Sequence, residues 1–466
     1  MLGAERFGLW AIGGAVLATV RLLDLGIERS VARQVATAHA RGQPQGIADA
    51  VGSAVPLAIG LGGLATLAVW AARGPLVDVV FDVPGGLHAE AALVIVGCAL
   101  VAWLEGALVP YRAALVGVGR MDLASGIDAG QRAASAAGTV LVLALGGGLM
   151  GLVAKNLVTA AGAGLVSRRL AVCRAPSLAG WPAPRADAAR ALLAFGRHVQ
   201  TVSLGAVALE VGAKVLLARS AGLGGVAVWE LATRVTQQLA ALLLSAVLAV
   251  FPAAAALGAA AAGPGEDGQR EVLARLYHRA AGAMAVAVVA GFGLLAVLAA
   301  PFVAAWLGPG HAPVARTILV LSIGWAVAVL STPAAMVAQA TGRARAVALA
   351  SLVTPVVGLG AAAMLAPHGG VGGVAVGVAA GLVTGGLAMA VAFKRMSGLP
   401  WRGLAPLDPR AAVALTFGLA AAGLAGRGLP EGILWVASAA AFGAAVALGV
   451  ARTLGVALLR AGGAAR

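Results

Sequence analysis

Stretches of about twenty apolar residues, almost free of charge, recur along the whole chain, and that recurrence leaves few folds open. A helix rises about 1.5 Å per residue, so about 20 residues cross the ~30 Å hydrocarbon core of a bilayer. Inside lipid the backbone must satisfy its own hydrogen bonds, and runs of this length do so as helices. Thirteen spans are predicted at approximately 7–25, 51–72, 91–111, 127–146, 149–167, 191–218, 225–252, 280–304, 314–338, 346–366, 371–393, 410–426 and 431–455. The expected fold class is an all-α, polytopic transmembrane bundle. Composition agrees: only 11% of the 466 residues are charged, against about 25% in soluble domains. The first stretch is followed by further spans and reads as a membrane segment, not a cleaved signal. The turn at Gly146-Gly147-Gly148 joins two spans very tightly.

The net charge of +15 is distributed with a bias. With the loop 26–50 in the cytoplasm and the loops alternating, 23 of the 33 Lys and Arg lie on the inner side, 5 on the outer side and 5 within spans. That bias fixes the orientation by the positive-inside rule. It places the N-terminus outside and the C-terminus in the cytoplasm. No run of Lys and Arg interleaved with aromatics occurs, so the charge speaks for anionic lipid and not for nucleic acid. Cys98 lies in an apolar segment and Cys173 in a basic loop, so no disulfide is expected.

The sequence echoes itself at a shift of about 220 residues. Trp10 and Trp229 each follow the opening of a span, 219 apart, and Gly119-Arg120 and Gly342-Arg343 each sit in an inner turn, 223 apart. The shift covers an even number of spans, so the two lobes share one orientation and relate by a pseudo-two-fold axis along the membrane normal. The expected domains are an N-terminal lobe at 1–190, including a linker with Pro176, Pro182 and Pro184, a C-terminal lobe at 191–405, and a trailing helix pair at 406–466. Pro56, Pro110, Pro252, Pro333 and Pro355 lie in or at the ends of spans and mark either packing kinks or hinges.

Several chemistries are missing. No phosphate-cradling loop contains Lys155, Lys214 or Lys394, so ATP hydrolysis is excluded. The run Gly369-Gly370-Val371-Gly372-Gly373 continues into an apolar helix and reads as close helix packing. The six histidines are scattered singly, so no metal or other cofactor is expected. A membrane enzyme such as a polymerase would need a large outer loop for its catalytic residues, and the longest, about 73–90, is short.

Charge inside the spans is the remaining signal, because it is expensive there and marks function by default. Three acid–base pairs stand at i, i+4: Asp128 with Arg132, Glu210 with Lys214, and Glu230 with Arg234. Glu105 and Lys155 have no partner in their own helix, while Arg21 and Asp24 are close enough to the inner surface to snorkel. These charges either neutralise one another where helices pack or line a cavity that holds an anionic headgroup. In the second reading Arg132, Lys155, Lys214 and Arg234 contact substrate, and Glu105, Glu210 and Glu230 couple an ion to transport. Lys155 is the first choice for substrate contact, although pairing with Glu210 across helices is the alternative.

The chain also resembles a known family along nearly its whole length. The motifs are Leu2-Gly3-Ala4-Glu5-Arg6-Phe7-Gly8-Leu9-Trp10, then Leu23-Asp24-Leu25-Gly26 followed by Arg29 and Arg33. They continue with Leu115-Val116-Gly117-Val118-Gly119-Arg120, Trp229-Glu230-Leu231-Ala232-Thr233-Arg234, Trp306-Leu307-Gly308-Pro309 and Ala340-Thr341-Gly342-Arg343. In order and spacing they resemble the Wzx-type repeat-unit flippases, the polysaccharide-transporter branch of the multidrug/oligosaccharidyl-lipid/polysaccharide exporter superfamily. The resemblance implies fourteen spans in two six-helix lobes plus a trailing pair. The thirteen spans then match the second to fourteenth, and a counterpart of the first family helix is missing. One departure is Ala213, which stands where an acid is expected. The implied function is movement of a polyprenyl-pyrophosphate-linked oligosaccharide, an O-antigen or exopolysaccharide repeat unit, to the outer leaflet by alternating access. The implied partners are the bilayer, the lipid-linked glycan, and a polysaccharide polymerase with its chain-length proteins. A multidrug or metabolite cation antiporter of the same superfamily is the alternative.

Overall fold

The structure, a computed structural model, describes residues 3–22, 26–180, 185–261, 266–308, 310–340 and 344–397. Every element among them is helical. The α-helices, in chain order, are α1 (Ala4–Leu22), α2 (Ile27–Ala40), α3 (Pro44–Ala71), the single turn α4 (Arg73–Pro75), α5 (His88–Gly117), α6 (Met121–Ala144), α7 (Gly148–Arg174), α8 (Ala186–Ala261), α9 (Glu266–Leu307), α10 (Ala312–Leu330), α11 (Thr332–Ala340) and α12 (Ala344–Ser397), and short π or 3-10 turns lie at Leu76–Val80, Gly85–Leu87 and Pro176–Leu178. The predicted spans 410–426 and 431–455, and the trailing pair they form, lie outside the described residues.

Seven helices among the described residues are long and apolar enough to cross a membrane. Two of them are too long for one crossing: Leu204–Leu244 holds 41 residues and Ala346–Met396 holds 51. Each breaks at a glycine in the left-handed region, Gly222 at φ 65° and Gly370 at φ 50°, a conformation that glycine alone adopts at little cost. At Gly370 the chain doubles back. Gly373, Gly377, Gly381 and Gly385 lie against Leu365, Ala362, Gly358 and Thr354 in turn, so the halves of α12 pack antiparallel with their backbones almost touching. With no hydrophobic drive between helices in lipid, such close approach along a stripe of small residues holds the hairpin. Of the 369–373 glycines, Gly373 alone has the predicted packing role; Gly370 makes the break, and Gly369 and Gly372 have open space around them.

One expectation holds with a local break and one needs correction. The predicted span 314–338 falls within a single stretch long and apolar enough to cross a membrane, Ala312–Ala338, which turns at Ser331 between α10 and α11. Pro333 has no N–H to continue the ladder, and the hydroxyls of Ser331 and Thr332 donate to Ala328 O at 2.7 and 3.4 Å instead. The loop 26–50 contains α2, whose Ile27, Val31, Val35 and Ala38 face a core made with Val51 and Ala54 of α3 and Ala114 and Leu115 of α5. That spacing of three and four is the signature of a half-buried helix.

The chain divides into two compact units, Met1–Ala227 and Val228–Arg466. In the first, α1 with α2 runs parallel to α5 in constant register. Arg6 pairs with Glu90, Arg21 with Glu105 and Glu28 with Arg112, each 84 residues apart. The next neighbour is α7, also parallel to α5: Gly97 lies on Val153 and Gly164 on Leu108, both 56 apart. Between these run α3, on which Trp103 of α5 covers Gly62 and Gly63 while its Nε1 donates to Ile59 O at 2.9 Å, and α6. In the second unit α10 runs parallel to the second half of α12, with Gly324 on Leu382 and Gly386 on Val327, offsets of 58 and 59. The recurrence of one parallel contact at nearly one offset in both units is what the internal echo in the sequence anticipates.

Candidate functional site

Helix α6 connects its neighbours through polar side chains. Asp128, Gln131, Ser135 and Thr139 are spaced by three and four residues, so they share one face. Each meets another helix. Asp128 accepts from Arg112 of α5, whose second nitrogen donates to Glu28 of α2 at 2.7 Å. Gln131 Nε2 donates to Glu105 Oε1 at 3.2 Å, and the other oxygen of Glu105 accepts from Arg21 of α1. Farther along, Lys155 of α7 donates through Nζ to Ser135 Oγ at 2.8 Å, Thr139 Oγ1 at 3.1 Å and Ser135 O at 3.3 Å. The lysine stem crosses α6 over Gly138, where a Cβ would stand 2.8 Å from Lys155 Cγ.

This file of groups extends over about 16 Å of α6, from Asp128 to Thr139. Its three acids, Glu28, Asp128 and Glu105, equal its three bases, Arg112, Arg21 and Lys155, but they are shared unevenly. Arg112 holds two carboxylates, Arg21 holds one, and Lys155 holds none among the described residues. An ammonium with neutral oxygens alone as partners keeps its full charge toward its surroundings, and at membrane depth an anion is its natural complement.

The predicted site residues separate as follows. Glu210 and Lys214 pair as expected, at 3.1 Å, and so do Glu230 and Arg234 in the second unit, at 2.9 Å. The expected pair of Asp128 with Arg132 does not form, because Asp128 is taken by Arg112. An i, i+4 pair contributes only a few tenths of a kcal/mol, less than a charge-assisted bond to a part-buried guanidinium. Arg132 is exposed and makes no ion pair among the described residues. Lys155 does not reach Glu210; it is half-buried in the α6 seat. Lys214 is fully buried, 2% exposed, and donates to Ala11 O of α1 at 3.2 Å as well as to Glu210.

Residue-by-residue reading missed Gln131, Ser135, Thr139, Glu28 and Arg112, and undervalued Arg21. The signal for α6 was present: four polar residues at helical spacing in an otherwise apolar span. At the turn before α6, Arg120 hydrogen-bonds Asp122 and holds its carboxyl down at about 2, which keeps that acid ionised. No three His, Cys, Asp or Glu side chains among the described residues are grouped to hold a metal.

The described residues thus form a helical bundle in which seven helices are long and apolar enough to cross a membrane, with a file of charged and polar groups along α6. No protein-family model matches the chain, and no curated protein matches it. Solved structures do. An inward-facing multidrug resistance MATE family transporter of the MOP superfamily superposes over 85% of this chain and 91% of its own, with a TM-score of 0.71 and 16% identity. The lipid II flippase MurJ, in an inward closed conformation, matches over 96% of both chains, with a TM-score of 0.67 and 8% identity. A Vibrio cholerae MATE transporter matches over 84% of this chain and 94% of its own, with a TM-score of 0.56 and 14% identity. The chain therefore has the fold of these MATE transporters and of the lipid II flippase.

Proposed function

We propose that this protein is a flippase of the MOP superfamily that carries a lipid-linked anion, a polyprenyl-pyrophosphate-linked oligosaccharide, from the inner to the outer leaflet by alternating access. The observation that carries the reading is Lys155, an ammonium seated on hydroxyls inside a helical hairpin with no carboxylate beside it among the described residues. Arg132, exposed and unpaired among the described residues, precedes Ser135 by three residues on the same helix and supplies a planar fork for phosphate oxygens. Arg234, 57% exposed, is a further anion contact in the second unit. Glu105, Glu210 and Glu230 are the coupling carboxylates in this reading, with a proton or sodium ion as the driver. The basic side faces the cytoplasm, the lobes divide at 190, and the polysaccharide polymerase and its chain-length proteins are partners in the inner membrane.

A second reading, a multidrug cation exporter, is favoured by the TM-score of 0.71 to a MATE transporter. Against it stands the saturation of acids in the first unit: Glu28, Glu105, Asp128 and Glu210 each hold a basic side chain, which leaves a cationic drug little to bind. The test is affinity of the purified protein for a short-chain, water-soluble prenyl-diphosphate disaccharide, with tetraphenylphosphonium as the competing ligand. The flippase reading expects the diphosphate to bind and Lys155→Met to weaken it at least about tenfold, the scale of one lost charge-assisted bond. Saturable binding of the cation alone would favour the exporter.

A further inference from the structure

Lys214 has a use other than substrate contact. Its side chain is one of the largest fully buried ones among the described residues, although it is a lysine within Leu204–Leu244, a helix long and apolar enough to cross a membrane. The ammonium joins two helices: it donates to Glu210 Oε1 on its own helix α8, at 3.1 Å, and to the main-chain oxygen of Ala11 on α1, at 3.2 Å. Three residues before Ala11, Gly8 lies directly on the carbonyl of Leu223, so closely that any side chain at Gly8 would collide with backbone. Leu223 follows Gly222, the left-handed break in α8. The start of α1 is thus closed against the break of α8 at two points, one a backbone contact and the other a buried charge.

Closed, the ammonium has a carboxylate and a carbonyl in place of water. Parted, water solvates it, and partial separation leaves a buried charge without its carbonyl partner, which is the least favourable arrangement. Carbonyl acceptance is also tolerant of sequence, because Ala11 offers backbone and no side chain is needed on α1.

We propose that Lys214 is the latch of a gate formed by the start of α1 and the α8 break, on the outer side in the orientation set by the arginine bias. Glu210 is a positioning residue that holds the ammonium in place. The proposal rests on the transporter reading, but its test requires no transport, so the two fail separately.

The experiment uses the full-length protein in cells, with Cys98 and Cys173 replaced by serine or alanine and one new cysteine introduced. In Ala218→Cys the thiol stands one turn after Lys214 on the same face of α8, at a residue 4% exposed; in Ala99→Cys it stands in the α5 core, at a residue 0% exposed. Labelling by a membrane-impermeant maleimide from outside is then timed. Lys214→Met is expected to speed labelling at position 218 by about tenfold or more, the minimum implied by losing a charged hydrogen bond, and to leave position 99 unchanged. Glu210→Gln, which keeps the lysine, is expected to shift position 218 in the same direction by less, and serves if Lys214→Met fails to reach the membrane. Lys214→Arg is expected to restore slow labelling in part. Equal labelling of wild type and both variants at position 218, or an equal rise at position 99, would overturn the latch.

Discussion

Glu105 shows how much a single side chain can hold when its partners are far away in sequence. One carboxylate oxygen takes Arg21 from α1 and the other takes Gln131 from α6, so three helices meet on one group. Replacing it with glutamine leaves Arg21, whose side chain is 55% exposed, without its counter-charge. A double-mutant cycle of Glu105→Gln and Arg21→Met should give a coupling of about 0.5–3 kcal/mol, the range for residues in contact, read from thermal unfolding in detergent. Additivity within a few tenths would mean that the pair does not form. The pairs at i, i+4, Glu210 with Lys214 and Glu230 with Arg234, were readable from sequence because one helix sets their separation. The ties from Arg21 to Glu105 and from Arg112 to Asp128 were not, because which helices adjoin is decided by packing of the whole unit.

Among the elements, the α12 hairpin makes the sharpest prediction. Gly377 has Ala362 backbone where a Cβ would go, and backbone cannot step aside. Gly360, in the same element, has open space around that position. Gly377→Val should therefore destabilise by about 1–3 kcal/mol, the usual cost of overpacking. Gly360→Val should cost about 1 kcal/mol or less, a lipid-facing change with no clash. Thermal midpoints of the two variants in the same detergent decide it; equal midpoints would contradict the close packing. Helix lengths and the tight turn at Gly146–Gly148 follow from apolar runs and glycine placement alone. The break at Ser331 was harder to place, since Pro333 tells of an interruption but not whether it is a kink or a new helix. Helix α2 was legible in the spacing of Ile27, Val31 and Val35, and was hidden by the arginines that make the segment look like a loop.

For the molecule as a whole, the parallel contact between glycine-bearing helices, with offset 56 in the first unit and 58 to 59 in the second, ties the sequence echo to structure. Orientation is the global property still to be measured. Cys173 is exposed and Cys98 is buried. The arginine bias therefore predicts that an impermeant thiol reagent labels Cys173 in inside-out vesicles and not in intact cells, with Cys98 inert in both. Labelling in intact cells would reverse the topology. The central claim, that this fold moves a lipid-linked diphosphate with the help of Lys155, which meets no carboxylate among the described residues, is tested most directly in proteoliposomes that hold the purified protein and a fluorescent polyprenyl-diphosphate oligosaccharide. The measured quantity is the fraction of label that becomes accessible to an added membrane-impermeant quencher with time. The account predicts protein-dependent exposure that Lys155→Met slows by about tenfold or more while the fold is retained. Exposure at the rate of empty vesicles with wild-type protein, under every ion gradient applied, would contradict it.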